Sequence, residues 1–307
     1  MAKNLGVVLS ERVLAGLVID HKLVDGLCCF PENPEESEMD ALIEMPTDAL
    51  VKMISERILA AAGEARDISA VGVALPGLIR NGVVEESPNL AQLKGARIQE
   101  LLTTQLRQNG LDTQVTAVND ADAVAAGLAS AYGKLDSIIR VWTLGVGIGY
   151  GRYPFAPGVW EGGHSVVTLD EKEHFCGCGG RGHMEGIMGH RAMRLRFLDM
   201  EPEEIFEEAN KLNASGHPAD PRCLAFKKLW HQALAAATAT SIHQDGAGKF
   251  FLTGFNARFI DMPMLRDYLQ QMVKMSPLQS FSLEIVDDRP ETRVIGAAVA
   301  AEQAAQR

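Results

Sequence analysis

A glycine-rich segment near the middle of the 307-residue chain carries two cysteines and a histidine at metal-ligand spacing. Cys176 and Cys178 are one residue apart, and His183 follows five residues after Cys178. Glycines allow such a loop to turn tightly, so that several side chains can converge on one ion. Thiolate and imidazole ligands in a closed set of four are typical of structural zinc. The segment therefore predicts a zinc site with a fourth ligand from elsewhere in the chain.

Two histidines are candidates for that fourth ligand. His164, in the segment Glu161-Gly-Gly-His164, would return to the loop across a hairpin. His174 is the second choice, because it lies so close to Cys176 in the chain that it would crowd a tetrahedral site. The alternative is that the cysteines are simply buried and the histidines are unrelated surface residues. The C-x-C spacing favours zinc only modestly, because it is a weaker signal than paired C-x-x-C motifs.

The elements that must position this loop alternate between strands and helices. Short aliphatic runs predict strands at 5–9, 13–19, 23–30, 68–75, 113–118, 138–144, 147–152, 249–253 and 281–286. Apolar residues at helical spacing predict helices at 46–63, 98–106, 120–132, 262–275 and 293–306, and 183–243 is mostly helical. This alternation predicts an α/β architecture, and the chain length predicts about two domains.

Composition excludes several classes of protein. Hydrophobic residues make up 47% and charged residues 22%, which excludes disordered, collagen-like and coiled-coil chains. The net charge of -11 without a Lys/Arg cluster argues against nucleic acid and anionic membrane as partners. The longest apolar runs are too short for a bilayer span, and the first residues lack a secretory signal, so we expect a cytoplasmic protein. Five cysteines do not form a disulfide framework in a chain of this length.

Four motifs in a fixed order resemble the ROK (repressor, open reading frame, kinase) family of bacterial glucokinases, N-acetylhexosamine kinases and sugar-responsive repressors. They are Asn119-Asp-Ala-Asp-Ala123, Leu144-Gly-Val-Gly-Ile-Gly-Tyr-Gly151, Glu161-Gly-Gly-His164 and Cys176-Gly-Cys-Gly-Gly-Arg-Gly-His-Met-Glu185. The resemblance extends upstream to Pro76-Gly77 and Ser87-Pro88-Asn89-Leu90, so it covers nearly the whole chain.

The resemblance implies a two-domain α/β fold of the actin and hexokinase (ribonuclease H-like) type, with a substrate cleft between the domains. The smaller domain would comprise 1–118 plus 290–307. The larger domain, 119–289, would contain the zinc loop. A homodimer is also expected, because dimers are common in the family.

The resemblance also implies roles for individual residues. The sugar would be bound by Asn89, Asn119, Asp120, Glu161, His164 and Glu185, with Asp120 as the general base that takes the proton of the 6-hydroxyl. Zinc would be bound by His164, Cys176, Cys178 and His183, where His183 replaces the third cysteine of the family. His164 would bind zinc through one ring nitrogen and the sugar through the other.

Each sugar-site residue also has a purely structural interpretation. Asp120 would cap the helix that follows it, and Asn89 would be a turn residue. Glu161 and Glu185 would be solvated loop charges. For any one residue alone this interpretation is the better one, but the family order of all of them favours a sugar site.

The nucleotide elements depart from the family pattern. Val8 replaces the aspartate of a D-x-G-G-T phosphate turn, and Ser10-Glu11 replace its glycines. The second phosphate loop, Gly145-Val146-Gly147, lacks its usual hydroxyl, and Gly254-Phe255 replaces a Gly-Gly pair on the adenosine side. Asp122 and Leu128 replace a usual Asn and Glu. Retained nucleotide contacts would fall on Ser10, Arg12, Gly145, Gly147 and Gly254, with Arg12 supplying positive charge to phosphate.

The sequence leaves four functions to compare. The first is a kinase that uses ATP and Mg to phosphorylate the 6-hydroxyl of a hexose or N-acetylhexosamine, with Asp120 as base. The alternative is a non-catalytic sugar-binding pseudokinase that acts as a sensor or partner subunit. A zinc-stapled interaction module without a ligand is disfavoured because the sugar carboxylates are intact. A repressor is disfavoured because no helix-turn-helix precedes the first strand.

Overall fold

A computed structural model describes residues 2–32, 42–155, 158 and 160–306. The chain divides into two compact units. Unit 1 comprises Met1–Val141, Gly151–Trp160 and Arg289–Arg307, and unit 2 comprises Trp142–Tyr150 and Glu161–Asp288.

The secondary-structure elements alternate along the chain as the sequence predicts. The strands are β1 (Lys3–Leu9), β2 (Val13–Ile19), β3 (Lys22–Phe30), β4 (Ile68–Leu75), β5 (Leu78–Arg80), β6 (Val83–Glu86), β7 (Val115–Asn119), β8 (Ile139–Leu144), β9 (Ile148–Tyr153), β10 (Lys249–Thr253) and β11 (Ser282–Ile285). The helices are α1 (Thr47–Ala62), α2 (Ile98–Gln108), α3 (Asp120–Ala131), α4 (Glu185–Met188), α5 (His190–Arg196), α6 (Pro202–Glu208), α7 (Pro221–Asp245), α8 (Met262–Met272) and α9 (Pro290–Ala305). Short 3-10 helices lie at Ala91–Leu93, Gly162–His164, Phe255–Phe259 and Ser276–Ser280.

Unit 1 is built on a five-stranded sheet in the order β3-β2-β1-β4-β7. The first three strands are antiparallel, whereas β1, β4 and β7 run parallel. Side chains alternate across β1, so Leu5, Val7 and Leu9 join the core cluster that contains the apolar residues of α1 and α2. Val8 points to the opposite face and joins a second cluster with Val294 and other residues of α9. Both faces of the sheet are therefore covered, as expected for parallel strands.

Helix α3 belongs to unit 1. It packs along α9, and its residues from Ala121 to Ala129 are buried because small side chains permit close contact on several faces. The boundaries expected from the sequence, 1–118 plus 290–307 and 119–289, stay a prediction. The compact unit differs from them in including α3 and Gly151–Trp160.

Unit 2 contains the sheet β11-β10-β8-β9, to which β8 and β9 contribute 142–144 and 148–150. The long helix α7 packs Phe226 and Trp230 into the core of this unit. The indole N–H of Trp142 on β8 donates to Thr238 Oγ1 of α7 at 3.1 Å, which ties the helix to the sheet.

The structure confirms the predicted α/β class and adds two details. The two-stranded sheet β5-β6 was not predicted, because its strands are only three and four residues long. The helical stretch predicted at 183–243 is four separate helices, α4 to α7, with loops between them. Among the described residues, no helix combines the length and the apolar character that crossing a bilayer needs.

Candidate functional site

The cysteine and histidine side chains of the glycine-rich loop converge at one point of unit 2. His164 ends the 3-10 helix Gly162–His164, which packs directly on β9: a Cβ on Gly163 would lie 2.0 Å from the Ile148 carbonyl oxygen. A β-bridge between Val166 and His183 then aligns the two histidine-bearing segments. Glycine at 163 is therefore a condition for placing His164 beside the loop.

The four candidate ligand atoms lie close together. The His164 and His183 Nδ1 atoms are 3.3 Å apart, and the two Sγ atoms of Cys176 and Cys178 are 3.4 Å apart. Sγ–Nδ1 distances are 3.6 Å for Cys176–His164 and 3.3 Å for Cys178–His183, and all four atoms lie within 4.8 Å of one another. Zinc bonds of about 2.3 Å to sulfur and 2.0–2.1 Å to nitrogen would give tetrahedral edges of about 3.3–3.8 Å. Four of the six distances thus lie near this range, and the donor set of two thiols and two imidazoles suits a zinc ion.

The rival ligand His174 lies outside this set. Its ring stacks on Phe175 with a centroid distance of 4.9 Å, and its side chain is exposed. Burial raises the pKa of the Cys176 thiol to about 12, whereas burial and the adjacent His164 lower the pKa of His183. The metal-free loop therefore holds a neutral thiol at Cys176, and zinc binding would release its proton.

Glu185 links the candidate metal loop, which runs from Cys176 to His183, to the turn Gly145-Val146-Gly147. Its Oε2 accepts the Ile148 N–H at 3.0 Å, and its Oε1 accepts the Cys176 thiol at 3.7 Å. A Cβ on Gly147 would lie 2.7 Å from Glu185 Oε2, so glycine there leaves room for the carboxylate. One carboxylate thus lies against both segments.

Asn119 is the N-cap residue of α3, and the side chains of Asn119 and Asp120 both contact the first turn. The Asn119 Oδ1 accepts the Ala121 N–H at 2.8 Å, and its Nδ2 donates to the Gly77 carbonyl at 3.0 Å. Asp120 is the first residue of the helix and is half-buried. The Asp120 Oδ1 accepts the same Ala121 N–H at 2.9 Å, so Asp120 shares the capping bond and its structural interpretation is supported as well. The amide of Asn119 is already engaged on both sides, with one N–H and one lone pair left over.

Asn89 and Glu161 complete the predicted sugar residues, and both are exposed. Asn89 lies in a bend that follows β6, in unit 1. Glu161 immediately precedes the 3-10 helix of His164, and its carbonyl accepts the His164 N–H at 3.0 Å. Within unit 2, Glu161, His164 and Glu185 are thus attached to the metal loop and the 3-10 helix beside it.

The first phosphate turn of the family is a tight hairpin in this chain. Leu9 pairs with Val13, so Ser10 to Arg12 form a three-residue turn in which the Ser10 N–H donates to the Arg12 carbonyl at 3.0 Å. Val8 is only 1% exposed and lies in the apolar cluster with Ala74 and Val118. The Ser10 N–H is therefore used within the turn, and a buried apolar side chain occupies the position of the family's aspartate.

Arg12 is engaged by the end of β3. Its Nε donates to the Pro31 carbonyl at 3.1 Å, and an Nη donates to the same oxygen. The same Nη lies 3.1 Å from the Glu32 carbonyl. The guanidinium therefore ties the start of β2 to the chain that follows β3. A phosphate would have to displace its hydrogen bonds to the Pro31 and Glu32 carbonyls.

The second phosphate loop is also closed by contacts within unit 2. The Gly145 N–H donates to the Gly147 carbonyl at 3.0 Å, and the Gly145 carbonyl accepts the Asn256 Nδ2 at 3.0 Å. Gly254, at φ +92°, packs on β8, and the Phe255 ring that follows it lies over Gly145. Phe255 stands where the family's pair has its second glycine, and its ring is 47% exposed. These contacts engage the Gly145 N–H and carbonyl and place an aromatic ring beside Gly145.

Asp122 is a buried carboxyl that the sequence identified only as a departure from the family. Its Oδ1 accepts the Arg152 N–H at 2.9 Å, and its side chain also accepts a hydrogen bond from Trp160. Burial raises its pKa to about 7, and the neighbouring Asp120 adds to the rise. Asp122 also lines a small cavity in unit 1 with Gly77, Asn119, Phe155 and Trp160.

Asp122→Asn is expected to stabilise the protein above neutral pH. In the wild type the folded-state pKa is raised above the unfolded value of 3.8, so stability is lost as pH rises through about 7. Asparagine keeps the acceptor but not the charge, so the variant should gain up to about 4 kcal/mol at pH 8 and little at pH 4. Urea unfolding at both pH values measures the difference. Asp67→Asn, which removes an exposed carboxylate paired with Lys3, is the control and should show no such gain. A gain in the stability of Asp122→Asn at pH 4 as large as that at pH 8 would contradict the raised pKa of Asp122.

Comparison with known proteins gives the family. A sequence profile of the ROK family matches residues 35–303. A glucokinase from Pyrobaculum calidifontis is 29% identical over 191 residues, which cover 57% of this chain and 58% of the glucokinase. The match therefore spans little more than half the length of that relative.

Solved structures show the same fold. A ROK hexokinase from Thermus thermophilus superposes with a TM-score of 0.75 at 21% identity and covers 99% of both chains. A ROK family glucokinase from Streptomyces griseus, in complex with glucose and AMPPNP, has a TM-score of 0.64 at 18% identity, covering 98% of this chain and 100% of that one. The fold is thus hexokinase-like, as expected from the motifs. Because the family profile matches most of its length, the chain belongs to the ROK family.

Proposed function

We propose that this protein binds a hexose or N-acetylhexosamine, with zinc as a structural ion beside the sugar site. The sugar contacts are Asn89, Asn119, Asp120, Glu161, His164 and Glu185. The zinc ligands are His164, Cys176, Cys178 and His183. The observation that carries the proposal is the convergence of four candidate ligand atoms within 4.8 Å of one another, with Glu185 Oε1 3.7 Å from Cys176 Sγ. One proposed sugar contact, His164, is thus a member of the ligand set, and a second, Glu185, contacts the ligand set through Cys176.

His164 has two separate functions in this proposal. Its Nδ1 faces the other three ligand atoms, which leaves Nε2 as the nitrogen for a sugar hydroxyl. When bound, the metal supplies only the orientation of its ligands and takes no part in a reaction. His164 would therefore approach the sugar already oriented, which lowers the entropy cost of binding.

Asp120 is the proposed general base if the sugar is phosphorylated. An ionised carboxylate can accept the proton of the 6-hydroxyl as that oxygen attacks phosphorus. ATP-dependent 6-phosphorylation is the activity that family membership favours. In that reaction catalysis depends on positioning and on neutralising the charge of the phosphates. The proposed sugar contacts keep the residue types of the family pattern, which supports the positioning of the sugar.

A non-catalytic sugar-binding protein is the second candidate, and specific observations favour it. Val8 is buried among apolar side chains, and the guanidinium of Arg12 is bound to carbonyls. The Gly145 N–H is used within its own turn, and Phe255 covers Gly145. Each feature removes a metal or phosphate contact that the reaction needs. We therefore propose a sugar sensor or partner subunit as the function that this geometry favours.

A coupled assay for ADP release over a panel of hexoses and N-acetylhexosamines separates the two candidates. Thermal unfolding with each sugar, on the same preparation, reports binding without turnover. We expect one sugar to raise the Tm while ADP release stays at the background rate. Steady ADP release with that sugar would instead establish the kinase.

Asp120→Asn is expected to weaken sugar binding, and therefore to reduce the thermal shift at a fixed sugar concentration, and to abolish any phosphoryl transfer. The substitution keeps the size of the side chain but removes the charge that accepts a hydroxyl proton in a hydrogen bond. Such charge-assisted bonds contribute about 1.5–3 kcal/mol, or about 10- to 150-fold in affinity. Asp136→Asn, on an exposed loop of the same unit, is the matched control. Wild-type affinity in Asp120→Asn would remove Asp120 from the site.

A homodimer, a cytoplasmic location and the absence of nucleic acid as a partner remain predictions from the sequence. Sedimentation equilibrium at several protein concentrations tests the first of these.

A further inference from the structure

Arg196, at the end of α5, contacts residues at both ends of the metal-binding loop. Its Nη1 donates to Glu173 Oε1 at 3.0 Å, and its Nη2 pairs with Glu173 Oε2. Nη2 also lies 3.5 Å from the Gly186 carbonyl. Glu173 precedes the first cysteine by three residues, and Gly186 follows His183 by three.

The same guanidinium is stacked between aromatic rings. Its central carbon lies 4.4 Å from the ring centroid of Phe175 and 5.3 Å from that of Phe226 on α7. Phe175 is the residue immediately before Cys176. A planar guanidinium can make a bidentate ion pair and stack on rings at the same time, which a lysine ammonium cannot do.

Burial makes these contacts strong. The side chains of Arg196 and Glu173 are 17% and 7% exposed, so solvent screens the pair little. Glu173 also holds the far end of the loop through its backbone, because its carbonyl accepts the Gly182 N–H at 2.7 Å. The ends of the loop thus converge on Glu173, and Arg196 fixes Glu173 in turn.

We propose that Arg196 is a positioning residue for the metal site, acting as a clamp on the loop that carries Cys176, Cys178 and His183. The clamp touches none of the four ligands. It keeps the loop closed, so that the ligand atoms stay within reach of one ion when thermal motion would otherwise open them. Because the clamp holds the loop closed, the metal dissociates more slowly.

The inference rests on the proposed zinc site, and its test reads metal retention instead of sugar binding or turnover. Zinc-loaded wild type, Arg196→Gln and Glu173→Gln are mixed with a chromogenic chelator, and the rate of zinc release is recorded. We expect release to accelerate at least about tenfold in both variants, in line with the effect of residues that support metal ligands. Arg196→Lys should recover part of the loss, because it keeps the charge but not the fork.

Cobalt(II) in place of zinc gives a second readout, because its visible d–d absorption reports tetrahedral geometry. We expect the band to weaken or shift in Arg196→Gln and Glu173→Gln. Arg194, like Arg196, is on α5, and Arg194→Gln, which breaks an exposed pair with Glu201 at the start of α6, should leave both readouts unchanged.

Lys227→Gln distinguishes a clamp from general loss of stability. It breaks a partly buried ion pair of unit 2, Lys227–Asp261, and the Lys227 ammonium donates to Asn210 and Asp261, neither of which is in the metal loop. Release as fast in Lys227→Gln as in Arg196→Gln would overturn the clamp, as would wild-type release rates in Arg196→Gln and Glu173→Gln. If Arg196→Gln does not fold, the isosteric Glu173→Gln decides alone. A wild type that holds no zinc would refute the metal site itself, and the clamp with it.

Discussion

Cys178→Ser is expected to lose the metal and to melt well below the wild type. Cys178 Sγ is 3.4 Å from Cys176 Sγ and 3.3 Å from His183 Nδ1, so its removal leaves three ligands and no closed tetrahedron. Because zinc binding stabilises the folded loop, its loss should lower the Tm by about 5 °C or more. Elemental analysis should find about one zinc per wild-type chain, as a closed four-ligand site requires.

Cys29→Ser is the matched control, since Cys29 lies on β3 of unit 1 and takes no part in the ligand set. It should keep its zinc and a Tm close to that of the wild type. A metal-free wild type of full stability would show that the four side chains converge for another reason.

Val8→Asp is expected to destabilise unit 1 strongly instead of restoring a nucleotide site. The substitution returns the carboxylate that the family pattern has at this position. Here, however, the side chain points into a cluster of Ala74, Val118 and residues of α9, with only 1% exposure. Burying an unpartnered carboxyl among apolar groups costs on the order of 3 kcal/mol or more. Urea unfolding measures the loss.

Val8→Thr separates the effect of charge from that of shape, because threonine has nearly the volume of valine. It should cost about 1–2 kcal/mol, which is the cost of burying a hydroxyl. Titration of magnesium and ATP into Val8→Asp should give no binding. If the variant keeps the stability of Val8→Thr and gains affinity for ATP with magnesium, the sheet face at Val8 is a nucleotide site after all.

Local patterns were sufficient to predict the α/β class and the four side chains that converge at the glycine-rich loop. The strands of unit 1 are short aliphatic runs, and the ligand loop is a glycine-rich segment in which residue type and spacing nearly determine what can converge. His164 was preferred over His174 on a steric argument, and the structure brings His164 into the ligand set.

Interactions between distant parts of the chain were not predictable in this way. Asp122 acquires its raised pKa because Arg152 and Trp160 return to cover it, and no pattern near Asp122 signals that return. Arg12 was a candidate phosphate ligand by charge alone, but the end of β3 engages its guanidinium. Arg196 escaped notice because a single arginine at a helix end is common, and only the fold places it beside Glu173 and Phe175.

The most direct test of the central claim is calorimetric titration of one preparation with two ligands. The claim is that the sugar residues are functional while the nucleotide elements are not. The first ligand is the sugar that raises the Tm most, and the second is ATP with magnesium, added with and without saturating sugar. We expect saturable heat from the sugar and none from ATP with magnesium at millimolar concentration. Tight binding of ATP with magnesium, in a protein for which no sugar gives heat, would contradict the account.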